Sequence, residues 1–190
     1  MSSYVLKTIR MDPLDVRSVE KAIREVERTK RELNDAMTAL VRALMDDGVE
    51  MAKLEVVALD AVDTGALLAS IGHGAYDPGS RTGVVYAGSY YAIFVEYGTG
   101  IVGERYPHPA PETASQGEGG ILGMQYTKYD TNNHGEQGWW YYSDTDGKRH
   151  WTKGMKSRPF MYNTMMYLRD YAERAGGRII ASYAAGGGGS

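Results

Sequence analysis

The sequence predicts an α+β fold: a long N-terminal helix and a C-terminal helix packed on an antiparallel β-sheet, with a long inserted β-hairpin arm. Three observations carry this. Apolar residues from Val16 to Leu44 recur at steps of three and four, the period of a helix face. Residues 67–100 change to short apolar runs separated by glycine, the texture of strands and turns. After Pro159, helical spacing returns at Met161, Met165, Leu168, Tyr171 and Ala172.

The first stripe reads Val16, Val19, Ile23, Val26, Leu33, Met37, Leu40 and Leu44, and resumes at Met51, Leu54 and Ala58, which predicts a helix over about 13–59. Asp12-Pro13 supplies a cap with proline in the first turn, and Asp15 adds a second acceptor near the positive helix end. Gly48 costs about 1 kcal/mol relative to alanine in a helix interior and is expected to bend or split the helix. The stripe packs on the protein's own sheet or also meets a neighbouring subunit.

The sheet is expected over about 67–100. Its parts are Leu67 to Gly74, a turn at Asp77-Pro78-Gly79, Val84 to Ala87, and Tyr90 to Tyr97. The run Tyr90 to Glu96 fits a strand or a short helix equally. Residues 101–158 form the arm. Pro107, Pro109 and Pro111 are followed by Gly117, Gly119 and Gly120, and then by a hairpin pairing Trp139 to Ser143 with Lys148 to Thr152 around Asp146-Gly147. Fifty or so residues of weak regularity inside a compact domain usually serve function. The C-terminal helix is expected over about 160–176, and residues 186–190 have the composition of a flexible linker or a tag scar. All of residues 1–185 are read as one domain.

With 190 residues, 43% hydrophobic and 24% charged, the chain falls in the range of globular domains. It carries no cysteine, so disulfides, thiolate metal sites and a cysteine nucleophile are excluded. No apolar stretch approaches a membrane span and the first thirty residues lack a signal-peptide core, so a protein made in the cytoplasm with no membrane partner is expected. The net charge of -3 hides a polarity: Asp46, Asp47, Glu50, Glu55, Asp60 and Asp63 face Lys53 alone, whereas residues 148–178 carry eight Lys and Arg against Asp170 and Glu173.

Motifs of catalysis are sparse. Asp63-Thr64-Gly65 matches the tripeptide of aspartic proteases, in which two carboxylates share a proton, so one copy per chain would require a homodimer using Asp63 from each subunit. Ile121-Leu122-Gly123 offers a corresponding downstream element, but the long helix before Asp63 and the absence of an all-strand pattern fit that fold badly. The competing account is local: Asp63 or Thr64 caps a short helical turn over residues 65–70. His73, His108, His134 and His150 lack metal-site spacing, and Asp144-Thr145-Asp146-Gly147 lacks the later carboxylate of a calcium loop, so neither a metal nor another cofactor is expected. Trp139, Trp140, Tyr141 and Trp151, with Lys153, Lys156 and Arg158, have the chemistry of a subunit interface, and also that of a nucleic-acid surface.

Three segments in order carry a resemblance: Asp63-Thr64-Gly65-Ala66-Leu67, then Tyr91 through Val95-Glu96-Tyr97-Gly98-Thr99, then Arg158-Pro159-Phe160-Met161 before the final helix. Together with the long first helix, the order resembles the gene-product-ten-like tail-component family of tailed, lambdoid-type bacteriophages, the tail-completion or head-tail joining proteins. The resemblance spans roughly residues 15–175. It implies a non-enzymatic structural protein of the virion neck that forms a homo-oligomeric ring, a hexamer by preference, and caps the tail tube. The partners implied are other neck, connector, tail-tube and terminator proteins, with non-specific DNA contact in the lumen left open. The implied framework residues are Asp63, Thr64, Gly65, Leu67, Tyr91, Glu96, Tyr97, Gly98, Thr99, Pro159 and Phe160. The arm exceeds the family's minimal pattern. The other function classes are the dimeric protease and a minor capsid or nucleic-acid-contacting assembly factor.

Overall fold

A computed structural model describes residues 9–110, 138–143 and 145–184, with the backbone alone for Trp139 and residues 182–184. Pro111, Gly117, Gly119, Gly120, Ile121-Leu122-Gly123, His134, Asp144 and the tail 186–190 lie outside the described residues. The fold is α+β: α1 (Val16–Ala58), α2 (Ala66–Ser70), β1 (Ile71–His73), β2 (Val85–Ala87), α3 (Ala92–Tyr97), α4 (Gly100–Arg105), β3 (Trp139–Ser143), β4 (Lys148–Thr152) and α5 (Phe160–Ala184). No described helix is long and apolar enough to cross a membrane.

The start and stop of α1 follow from its end residues. Asp15 Oδ1 accepts the Arg17 N–H at 3.1 Å and its carbonyl accepts the Val19 N–H at 3.1 Å, so Asp15 rather than Asp12 is the cap. Gly48 is buried within one uninterrupted helix and does not split it. At the other end Asp60 turns left-handed (φ 54°), Asp60 N–H reaches the Val57 carbonyl and Ala61 N–H reaches Val56. These two bonds make a Schellman stop.

The described chain groups into two compact units. Of the described residues, the first holds 9–47, 74–84 and 167–184. In it Tyr76 meets α1 through a 3.3 Å hydroxyl contact with Thr38, and the Arg42 guanidinium lies 5.4 Å over its ring. The turn at 77–79 forms as expected: Asp77 accepts the Gly79 N–H at 2.8 Å and the Ser80 hydroxyl at 2.6 Å.

Of the described residues, the second unit holds 48–73, 85–110, 138–143 and 145–166. Its core is Val49, Ala52, Val56, Leu67, Ile71, Ala92, Val95 and Phe160. The strands are fewer and shorter than the sequence suggests: in place of one sheet over 67–100, β1 pairs with β2 alone, Ile71 opposite Ala87. Two segments took the helical option. Gly65 (φ 82°) opens α2, which sends Leu67 into the core. In α3 the buried residues are Ala92, Val95, Glu96 and Tyr97, the first three at the i, i+3, i+4 spacing of a helix face, and Gly98 (φ 79°) stops it. The second sheet is the hairpin β3–β4, with Trp139 opposite Thr152 and Ser143 opposite Lys148, the register the sequence predicts. Likewise α5 begins at Phe160, but runs through Gly176 and Gly177 to Ala184.

Candidate functional site

Two features of the second unit gather the residues singled out by sequence: a motif core built around Glu96, and the hairpin.

Glu96 is 7% exposed, and three hydrogen-bond donors meet its carboxylate. Its Oε2 accepts the Met161 N–H at 2.9 Å, and Oε1 accepts the Tyr162 N–H at 2.9 Å and His108 Nε2 at 3.0 Å. Helix α5 therefore receives its N-terminal cap from α3, 65 residues earlier in the chain, and the carboxylate sits at the positive end of the helix dipole. His108 Nδ1 accepts the Ala110 N–H at 3.0 Å, which leaves the Nε2 proton to point at Glu96. The imidazole also packs 4.4 Å from the Tyr97 ring and 5.2 Å from Tyr162.

The segment after Glu96 joins the same construction. Thr99 and Met155 exchange backbone hydrogen bonds at 2.9 and 3.1 Å, Arg158 N–H reaches the Val95 carbonyl, and the Ser157 hydroxyl reaches the Glu96 carbonyl at 2.6 Å. Close approach explains the glycines: a Cβ on Gly98 would meet Ser157 N at 2.7 Å, and one on Gly154 would meet the Thr99 carbonyl at 1.9 Å. Pro159 precedes α5, its carbonyl accepting the Asn163 N–H, and Phe160 is fully buried. Tyr91, half-buried, packs on the core and starts α3. Leu67, Val95 and Phe160, one from each of the three sequence motifs, thus meet in one core cluster.

Asp63 and Thr64 lie at the exposed edge of this core. Asp63 Oδ1 accepts the Thr145 hydroxyl at 3.0 Å, and Thr64 Oγ1 receives the Ala66 N–H at 3.4 Å. Thr64 makes the local turn contact; Asp63 ties to the hairpin loop instead, and α2 has no side-chain cap.

The hairpin places its side chains on two faces. Trp140 lies opposite Trp151 and Tyr142 opposite Arg149, so these four share one face. The two indoles pack edge to face at 5.4 Å. Trp140 is 62% exposed, Tyr142 64% and Trp151 49%. Tyr141 and His150 share the other face, where His150 Nε2 lies 2.9 Å from Asp146. Lys153 and Lys156 are exposed. Arg158 is set apart from them: it is half-buried and its Nε donates to the Leu59 carbonyl at 3.0 Å, at the C-terminus of α1. Trp139 pairs through its backbone.

A groove of about 630 Å³ lies over the motif core, lined chiefly by Tyr90, Ile93, Tyr97, Met161 and Met165, with Ser89, Glu96 and His108 among its polar members. Sequence reasoning missed both the groove and the Glu96–His108 pair. His108 was tested only for spacing against other histidines, and no local pattern relates residue 108 to residue 96 or to the helix beginning at 160. Among the described residues no three metal-ligating side chains cluster. No protein-family model matches the chain, and no curated protein or solved structure matches it.

Proposed function

We propose that this is a structural protein of a tailed-phage virion neck, a tail-completion protein that assembles as a ring, a hexamer by preference, between the tail tube and the head connector. The observation that supports it is the hairpin face: Trp140, Tyr142 and Trp151 stand half to two-thirds exposed on one described element. Surface of that kind marks an interaction site, and aromatics beside arginine are what interfaces enrich. The motif core agrees with such a role, since the residues that carry the family resemblance act as packing, caps and close backbone contacts. No catalysis is part of this reading. The test is to tag the protein and locate the label by electron microscopy in particles purified from a phage-producing lysate. Label at the head-tail junction is expected; its absence from finished particles overturns the virion assignment.

The hairpin also favours a second reading, non-specific contact with nucleic acid, because exposed Trp and Tyr next to Lys148, Arg149 and Lys153 form a stacking and cationic surface. That reading predicts binding of a labelled oligonucleotide that weakens steeply with added salt.

A further inference from the structure

We infer that the groove over the motif core is the seat for the hairpin of a second copy of this chain, with the Trp140–Trp151 pair as the inserted knob. The inference rests on the ring reading above and names the two surfaces that would close the ring. A ring interface is heterologous: each copy must offer two different surfaces that fit each other. The groove and the hairpin face share no residue.

The chemistry of the groove selects an apolar, aromatic occupant. Its ionisable members Glu96 and His108 are already engaged: Glu96 accepts the Met161 and Tyr162 N–H groups, and His108 bonds Glu96 on one side and Ala110 on the other. Apart from Ser89, what remains is chiefly Tyr90, Ile93, Tyr97, Met161 and Met165. Methionines beside aromatic walls adapt to ring-shaped groups and add sulfur-aromatic contact. At about 630 Å³ the groove lies within the roughly 300–1,000 Å³ of pockets that bury aromatic ligands.

The hairpin supplies the matching shape. A two-stranded ribbon presents Trp140 and Trp151 side by side at 5.4 Å, with Tyr142 next along the same face. Half to two-thirds exposed, each of the three has on the order of 100 Å² left to bury. Together they would provide roughly 300 Å² of the about 800 Å² per partner that a stable interface takes, concentrated in its centre where binding energy gathers. Arg149, at the edge of the knob, would lie on the rim in solvent.

The absence of cysteine from the sequence makes the test direct. Two single-cysteine variants are prepared, Arg149→Cys at the edge of the knob and Ser89→Cys in the groove lining, so that no aromatic side chain of either surface is removed. They are mixed and treated with a flexible bismaleimide, in solution and in tagged particles. Trp140→Ala and Ile93→Trp, which respectively remove the knob and fill the groove, are followed by mass photometry and circular dichroism. The expected result is a cross-linked dimer in the mixture and in neither variant alone, with Trp140→Ala and Ile93→Trp folded but losing most of the assembled species. Rings that persist in both of these variants, with no cross-link in the mixture, overturn the knob-in-groove contact and leave the ring reading standing. Rings that persist while Trp140→Ala abolishes binding to a labelled oligothymidine assign the hairpin to nucleic acid and overturn it too. A wild-type chain that is monomeric in solution and missing from particles overturns the ring reading and this inference with it.

Discussion

The motif core and the hairpin lie next to each other in the second unit and are built on opposite rules. Around Glu96, a buried carboxylate, three backbone or ring N–H groups, a fully buried phenylalanine and two glycines at close approach fit together with no described buried side-chain polar atom left unpaired. On β3–β4, by contrast, Trp140, Tyr142 and Trp151 are exposed. On the proposed reading, the motif residues hold the fold while the hairpin carries the contacts of assembly. Loss of stability should therefore map to the first region and loss of assembly to the second.

The comparison breaks most easily at its centre. Phe160→Ala should destabilise by about 3 to 5 kcal/mol, because it empties a fully buried aromatic site; urea unfolding measures it. Glu96→Ala should lose roughly 3 kcal/mol, since the Met161 and Tyr162 N–H groups and His108 Nε2 are left without their acceptor. Glu96→Gln should lose less, because its amide oxygen still accepts. Gly154→Ala should lose about 2 to 3 kcal/mol through a backbone clash and a φ of 103° that a Cβ resists. A loss below about 0.5 kcal/mol for any of Phe160→Ala, Glu96→Ala and Gly154→Ala would dissolve the contrast. On the hairpin, Trp140→Ala should change stability by under about 1 kcal/mol, the size of a cross-strand pair, while reducing assembled mass.

The smallest expected effect lies in the first unit and calibrates the rest. The Ser80 hydroxyl, and after it the Gly79 N–H, hold the Asp77 carboxyl below the ordinary aspartate range. A depressed carboxylate contributes stability above its unfolded value, near about 3.9, and that contribution is lost as pH falls through the lower folded value. An NMR titration should place Asp77 below the ordinary value, and Ser80→Ala should bring it back up.

Much of this was legible in the sequence because it is local. The hairpin register follows from a turn and two five-residue aromatic strands, and the start of α5 follows from Pro159. The stripe of α1 was legible as a helix but not as a buried face. Ile23, Val26 and Leu54 from the stripe are exposed, while Met45, Val49, Ala52 and Val56, on an adjacent track, are buried. Period fixes the helix, whereas the tertiary neighbours decide which apolar track they cover. The mixed segments 66–73 and 92–97 were decided by the flanking Gly65 and Gly98 together with the packing of Leu67 and Val95, and that packing lies in no window of local sequence. The Glu96 cap joins residues 96, 108 and 161–162, and the groove arises only when those are assembled.

The central claim, that the motif core holds the fold and the hairpin face makes the assembly, is tested most directly by thermal unfolding and assembled mass measured side by side for Glu96→Ala and Trp140→Ala. At about 2 to 4 °C per kcal/mol for a chain of this size, Glu96→Ala should lower the midpoint by roughly 6 to 12 °C. Trp140→Ala should keep its midpoint to within about 3 °C and lose most of the assembled species. A Trp140→Ala protein that melts as early as Glu96→Ala, or one that assembles as the wild type does, contradicts the account.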